Sequence, residues 1–376
     1  MNILYITHNS SLRSTTCVLD ATISQLLPIG LRASFVFASE GPWSEALIEQ
    51  KINVYYHEFL VPDKKVPIRF LLNFFFWVRI IRKEKIELIH VNEHENYPMI
   101  KHAAKFLRIP VVVGVRYVLP SGYSEWAFSG RYKPVKLLFT SHDQLERSRN
   151  ALPSNIRESD IEILGNGRDL DKLISSPTMR SETREIWNVP VSCMVLGTAS
   201  VIRPRKKLED FIEMVKSLLE KKHDVKGVIA GGGKFGDPNY FKSLEELIKK
   251  YNLQNKVLML GNLDDIAPFY HSIDLFVSTS ELETFGMSVC EAMAFSLPVI
   301  GYEGGSVKEV LDDPRCVVKN FDLNGLVHLA EKILANSEYR ETLGTKNKKR
   351  AFDYFNAPSL AKKLKLIYES ILNRKG

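Results

Sequence analysis

The chain has 376 residues, 45% hydrophobic and 25% charged, and 51 basic against 44 acidic residues leave it at +7 with a pI near 9.0. That length suits two domains rather than one core, and the composition excludes a disordered or fibrous chain. The basic excess favours anionic partners without choosing among phosphates, nucleic acid and acidic membranes.

Cys17, Cys193, Cys290 and Cys316 are widely spaced and form no CxxC pair. They argue against a disulfide framework or zinc site and for a reducing compartment. Met1 leads straight into an apolar segment, so no signal peptide is expected. No stretch reaches the roughly 18 uncharged apolar residues of a membrane-spanning helix.

In chain order, NILYIT (2–7) predicts a buried strand, 17–27 a helix ended by Gly30, and ASFVFA (33–38) a second strand. IELIHV (86–91), PVVVGV (110–115) and VKLLFT (135–140) continue the series, interleaved with helical patterns. Fully apolar strands separated by helices indicate a parallel sheet covered on both faces. ILGNGRDL (163–170) breaks the pattern with an Asn-Gly turn signal. The alternation restarts with strands at 193–199, 225–231, 256–261, 275–280 and 297–302, and with amphipathic helices at 208–222 and 241–253. The reading is two doubly wound α/β domains joined near residues 165–170.

Two carboxylates stand out after the strand LFVSTS. Glu283 and Glu291 are separated by the uncharged run Thr-Phe-Gly-Met-Ser-Val-Cys. A helix is expected to start near Phe285, with free amides at 285–287 and Gly286 letting a phosphate approach the positive end of its dipole. Glu291 falls in the second turn of a nearly apolar helix, where a buried carboxylate needs partners such as ribose hydroxyls. The plainer alternative is a capping glutamate or an interdomain salt bridge. The neighbours favour a ligand. Gly231-Gly232-Gly233 and Gly304-Gly305 follow strands, and Lys206 lies in the first strand–helix loop of the second half. A cation there suits a diphosphate, although a solvated basic loop would look the same.

On these residues the chain resembles the GT-B glycosyltransferases of the large retaining family 4. Glu283-Thr-Phe-Gly through Glu291 matches that family's E-x7-E motif. ILGNGRDL (163–170), IAGGG (229–233), KVLMLGNLDD (256–265), EAMAFSLPVIGYEGGSVKEVL (291–311) and IYESIL (367–372) fit in register. The resemblance implies a GT-B fold of two Rossmann-like domains facing a cleft. They would comprise an acceptor domain at 1–168, a nucleotide-sugar domain at 169–355, and a final helix at 356–376 crossing back to the first.

It also implies roles. Glu291 would take the ribose. Glu283, with Thr284, Phe285, Gly286 and Met287, would hold sugar and phosphates, and Lys206 would neutralise the leaving group. Gly232, Gly233 and Asn262 would line the donor site. Asn9, Ser10, Arg13, Glu93 and His94 would face the acceptor. No metal or other cofactor is expected, because the helix dipole and basic side chains stabilise the leaving group.

The chain departs from the family pattern at three points. Val201 and Ser200 stand where an arginine is usual, leaving Arg203 or Arg205 to replace it. Arg13-Ser14 replaces a usual Gly-Gly. Arg116 stands where many members carry a histidine, and arginine is a poor proton acceptor, so an anion-binding role is expected. His90 matches a histidine common in the family, while Asn92 replaces another. The surrounding HVNEHEN (90–96) is expected to be a solvated acceptor-side loop, a metal site being the lesser reading.

The basic, aromatic segment 66–85 is either a core-packing helix or a helix lying on an anionic membrane. In the membrane reading Phe74, Trp77, Lys64, Lys65, Arg69, Arg82 and Lys83 would be at the surface. No nucleic-acid-binding module is recognisable.

The expected function is retaining transfer from a nucleoside-diphosphate sugar, UDP first, to a glycan or lipid-linked acceptor in surface or exopolysaccharide synthesis. The setting would be the cytoplasm, or the inner face of the plasma membrane. The alternatives are a non-catalytic sugar-nucleotide-binding partner of another transferase and a GT-B-fold nucleotide-sugar epimerase.

Overall fold

A computed structural model describes residues 1–12, 15–59, 66–128, 133–175, 180–190, 192–232 and 236–373. The chain divides into two compact units, Met1–Arg168 with Ala357–Gly376, and Asp169–Asn356.

The first unit is built on a seven-stranded parallel sheet of order β3-β2-β1-β4-β5-β6-β7. Its strands are β1 (Asn2–Thr7), β2 (Arg32–Phe37), β3 (Asn53–Tyr56), β4 (Leu88–Val91), β5 (Val111–Gly114), β6 (Lys136–Phe139) and β7 (Ile161–Ile163). Side chains alternate across a strand, so β1 feeds two cores. Leu4 and Ile6 pack on one face with Trp77 and Ile80. Ile3 and Tyr5 pack on the other with Leu364, Ile367 and Tyr368 of the closing helix Ala357–Leu372. That helix is therefore a structural part of the first unit although it is last in sequence. β3 and β7 escaped the sequence reading because they are half-buried edge strands without an apolar run.

The second unit holds a six-stranded parallel sheet of order β10-β9-β8-β11-β12-β13. Its strands are β8 (Met194–Ala199), β9 (Val225–Ala230), β10 (Val257–Gly261), β11 (Leu275–Ser278), β12 (Val299–Tyr302) and β13 (Val317–Val318). The helix Leu208–Glu220 lies where it was expected, with Leu208, Phe211, Ile212, Val215 and Leu218 buried at helical spacing. The helix expected at 241–253 is Pro238–Lys250 instead. Asp237 caps it by accepting from the amides of Asn239 and Tyr240, and Pro238 sits at the first helical position.

The α/β class and the parallel sheets are as expected. Segment 66–85 forms the helix Pro67–Lys83, and one part of its reading is corrected. Trp77 is fully buried, donating from its indole to Asn73 at 2.9 Å. Lys64 and Lys65 lie outside the described residues.

Candidate active site

In open α/β sheets the chain order reverses at a switch point, and ligands bind beyond the strand C-termini there. In the second unit that point is the β8/β11 pair. The loop after β8 carries Lys206 and the loop after β11 carries Glu283, and the two side chains form an ion pair. Both are largely buried, at 9% and 13% side-chain exposure. Ser280 Oγ donates to the same Glu283 oxygen at 2.7 Å.

The loops are stitched together by backbone as well. Glu281 N donates to Arg205 O at 2.9 Å, and Thr279 Oγ1 to Lys206 O at 2.8 Å. On the other side, Ser306 donates to the Glu283 carbonyl from its amide at 3.0 Å and from its hydroxyl at 3.1 Å. Gly305 adopts φ +62°, and a Cβ there would stand 2.1 Å from Glu283 O. That glycine is required by loop packing.

The pairing of Lys206 and Glu283, 77 residues apart, refines both expected roles. Lys206 is not a bare cation awaiting phosphate, since Glu283 cancels much of its field. An ammonium has three donors, however, and only one is committed to Glu283. The other cations of the loop are Arg203 and Arg205, both exposed, and Lys207, which pairs with Glu209 at 3.6 Å. Arg205 reaches Leu282 O at 3.4 Å.

The signature helix is Met287–Ala294, starting two residues later than expected. Gly286 is its cap at φ 89°, ψ 59°, a left-handed conformation that favours glycine. Val289 and Cys290 both donate to the Gly286 carbonyl, at 3.1 and 3.2 Å. The amides of Met287 and Ser288 precede the helix's own ladder and are the ones offered outward. Phe285 is core, packed edge-on against Phe355 at 5.4 Å, so its side chain is not a donor contact.

Glu291 is half-buried rather than buried. Its Oε2 accepts from Tyr270 Oη at 2.9 Å. Tyr270 is itself 1% exposed. No pattern in Ala267–Ser272 signalled it.

The glycine-rich turn is also corrected in part. A Cβ on Gly231 would lie 1.8 Å from Ser200 O, so the neighbouring backbone, not a ligand, demands that glycine. Gly232, at φ +144°, has more room, with its nearest neighbour at 3.7 Å. Gly233 lies outside the described residues. Asn262 is exposed just after β10, and Thr284 is half-buried between Glu283 and Phe285.

In the first unit the corresponding switch point is β1/β4. HVNEHEN is not a solvated loop: His90, Asn92, His94 and Asn96 are all buried. His90 Nδ1 meets Tyr368 Oη of the closing helix at 2.5 Å, and Tyr368 Oη donates on to Tyr5 Oη at 3.4 Å. His90 Nε2 has no hydrogen-bond partner among the described residues. Burial holds the His90 imidazole down to about 3, with Arg116 adding to the effect. At 1% exposure this ring meets the closing helix through Nδ1 alone, which leaves Nε2 as the nitrogen not committed to it.

Glu93 instead closes a network. It accepts from Thr7 Oγ1 at 3.0 Å, His8 N at 3.3 Å and Asn96 Nδ2 at 3.1 Å, and from Asn92. Burial raises its carboxyl, with Arg116, Thr7, Asn92 and the His8 amide opposing. Arg116 donates to Asn92 O at 2.9 Å, to Asn92 Oδ1, and to Asn166 Oδ1 at 3.1 Å. Asn166 comes from the Asn-Gly turn at the domain boundary, and the sequence reading gave this residue no role of its own. Asn92 and Asn166 thus fix Arg116.

Ser10 is buried, donating to Glu40 O at 3.0 Å, and exposed Asn9 accepts from Ser11 N at 3.0 Å. Arg13 lies outside the described residues. Among the described residues no group of His, Cys, Asp and Glu is arranged to hold a metal ion.

Paired sheets of this order, with ion-paired loops at the switch point and a glycine-started helix beside them, define a GT-B type architecture. Residues 179–350 match the family model described as glycosyl transferases group 1. The chain is 23% identical over 335 residues to N-acetyl-alpha-D-glucosaminyl L-malate synthase of Bacillus anthracis, covering 85% of each chain. It is 23% identical over 277 residues to the capsular polysaccharide biosynthesis glycosyltransferase CapM of Staphylococcus aureus, covering 71% of each.

Among solved structures, Anabaena HepE in complex with UDP superposes with a TM-score of 0.83 at 19% identity, covering 98% of this chain and 100% of that one. A glycosyltransferase from Rickettsia africae gives 0.83 at 20%, covering 99% and 98%. The fold is that of the GT-B glycosyltransferases, and the matches support a group 1 glycosyltransferase whose relatives include enzymes of cell-surface polysaccharide synthesis.

Proposed function

We propose that the chain is a retaining glycosyltransferase of the family 4 type. It would transfer a sugar from a nucleoside-diphosphate sugar, with UDP as the nucleotide, to a glycan or lipid-linked acceptor in cell-surface polysaccharide synthesis. The observation that carries this reading is the buried Lys206–Glu283 pair at the β8/β11 switch point, beside the amides of Met287 and Ser288. That Anabaena HepE was solved with UDP and with UDP-glucose supports UDP.

In this reading Glu291, oriented by Tyr270, holds the ribose hydroxyls. The diphosphate lies against the helix start, and Lys206, Arg203 and Arg205 carry its charge without a metal. The bond from the anomeric carbon to the diphosphate oxygen breaks, and its electron pair leaves with the nucleotide. The acceptor hydroxyl attacks from the same face, and its proton passes to the departing phosphate oxygen. Glu283 orients the sugar and holds Lys206 in place.

The test is NDP release from UDP-, GDP-, ADP- and dTDP-sugars with and without acceptor. A thermal-shift screen of the same donors accompanies it, since a ligand bound only by the folded state raises its stability. A folded chain that turns over none of them, with Glu291→Ala binding donors like wild type, overturns the reading. Donor binding without transfer would favour the non-catalytic partner reading, which Arg116, held by Asn92 and Asn166 and a poor proton acceptor, motivates.

A further inference from the structure

In the first unit Glu93 and Arg116 follow the C-terminal ends of β4 and β5. The opposite end of the same sheet is open as well. A cavity of about 500 Å³ lies at the N-terminal ends of β5 and β6, where Pro110 and Pro134 lead into the strands. That volume is typical of a small-molecule pocket. All of its lining residues belong to the first unit.

Its charge is one-sided. Lys101, Lys105, Arg108, Lys133, Lys136 and Arg157 line it, against the single acid Asp160. Lys133 and Arg157 share Asp160, and Lys136 pairs with Glu162. Lys105 and Arg108 are exposed and have no acidic partner among the described residues. Lys101 donates to Trp126 O at 3.3 Å and stands 5.1 Å over the half-exposed Trp126 ring. Burial lowers its ammonium below the ordinary lysine value, a cost that a bound anion would relieve.

Lys101 and Lys105 lie one turn apart on the helix Tyr97–Phe106, so they repel, and Arg108 follows where the helix closes. The negative end of the helix dipole offsets Lys105 and Arg108 in part. It does not reach back to Lys101, and it has no bearing on the cations brought from other segments. Lys136 is only 8% exposed, and its Nζ donates to Ser159 O at 2.8 Å and to Glu162 at 2.7 Å. Lys133 likewise commits two bonds, to Asn155 O at 2.8 Å and to Asp160. An ammonium has three donors, so each keeps one in reserve. Between the cations the wall is apolar, with Tyr97, Val111 and Ile371 of the closing helix.

We propose that this cavity binds a soluble organic phosphate. Lys101, Lys105 and Arg108 take the phosphate oxygens, and the apolar wall takes the carbon skeleton. Arginine offers paired donors that match phosphate, and lysine a compact charge. The cavity is at the sheet end opposite the one where this fold class places its principal ligand. It lies in the first unit and stands independently of the donor-site reading.

The test is isothermal titration of the full chain with phenyl phosphate and with inorganic phosphate, at an ionic strength held constant with chloride. Phenyl phosphate is expected to bind more tightly than inorganic phosphate. Occupancy should change tryptophan emission, and Trp126→Phe should remove that change. Lys105→Gln/Arg108→Gln should weaken phenyl phosphate binding about 10- to 25-fold, roughly three- to fivefold per exposed cation. Lys101→Gln, less exposed, should weaken it about tenfold. Unchanged thermal unfolding midpoints and unchanged UDP binding would confirm that the variants fold. The proposal is overturned if these variants bind phenyl phosphate as wild type does. It is equally overturned if inorganic phosphate binds as tightly as phenyl phosphate, which would make this a bare-ion site. Phosphatidylglycerol vesicles that bind through these cations while phenyl phosphate does not would assign them to a lipid headgroup and also overturn it.

Discussion

Removing one partner of the Lys206–Glu283 pair tests the site most directly. Glu283→Gln keeps the side-chain shape but leaves an ammonium only 9% exposed without its counter-charge. Breaking a buried pair from one side costs about 3–5 kcal/mol, whereas replacing both charges costs far less, because no lone charge stays buried. At roughly 2–4 °C per kcal/mol for a unit of this size, Glu283→Gln should lower the unfolding temperature by about 6–20 °C.

Lys206→Met should behave alike, and the double variant should recover much of the loss, a coupling of up to about 3 kcal/mol. Calorimetry of the four proteins, with and without UDP-sugar, is the assay. If Lys206 receives the donor phosphates, donor should stabilise Glu283→Gln more than wild type, since phosphate then replaces the lost carboxylate. Two single variants within about 0.5 kcal/mol of wild type, adding without coupling, would refute the claim that this pair organises the site.

Glu291→Ala should weaken nucleotide binding by about 10- to 100-fold, the range for hydrogen bonds to a charged group, and Tyr270→Phe by less; isothermal titration with UDP separates them. Gly231→Ala and Gly305→Ala should each destabilise the second unit by several kcal/mol in urea melts, because their Cβ atoms would meet carbonyl oxygens at 1.8 and 2.1 Å. Burial holds His90 at about 3 and His94 at about 4, below the ordinary 6.5 of the unfolded chain. Their stabilising contribution is therefore full above pH 6.5 and is lost as pH falls toward those values. At pH 4.5 about 2–3 kcal/mol should be gone for each, and a His90→Asn/His94→Asn variant should show a flatter stability profile between pH 6.5 and 4.5.

Periodicity was enough to determine most of the architecture. Runs such as Ile3–Leu4–Tyr5–Ile6 and Val111–Val112–Val113 are apolar on both faces because helices cover both faces of a parallel sheet. The carboxylates, the helix between them and Gly286 were legible because local rules govern them: a glycine at a left-handed cap, amides ahead of a helix ladder, and charge in an apolar run. Tertiary contact decided the rest. Lys206 and Glu283, far apart in sequence, become partners only when β8 and β11 pair. Tyr270 meets Glu291, Asn166 fixes Arg116, and Tyr368 binds His90 through contacts that no local pattern encodes.

The same limit explains the misread residues. Gly231 occurs at a sequence position that suits a ligand, yet a neighbouring carbonyl occupies the space beside it. Trp77 and Phe75 look equivalent in an aromatic run, but one is fully buried and the other exposed, because the helix turns about 100° per residue and only one side meets the core. Sequence fixes which groups a segment can offer through its own periodicity and propensities. Which of them face a ligand, the solvent or one another depends on the segments that pack beside them, and that is set only when the sheets assemble.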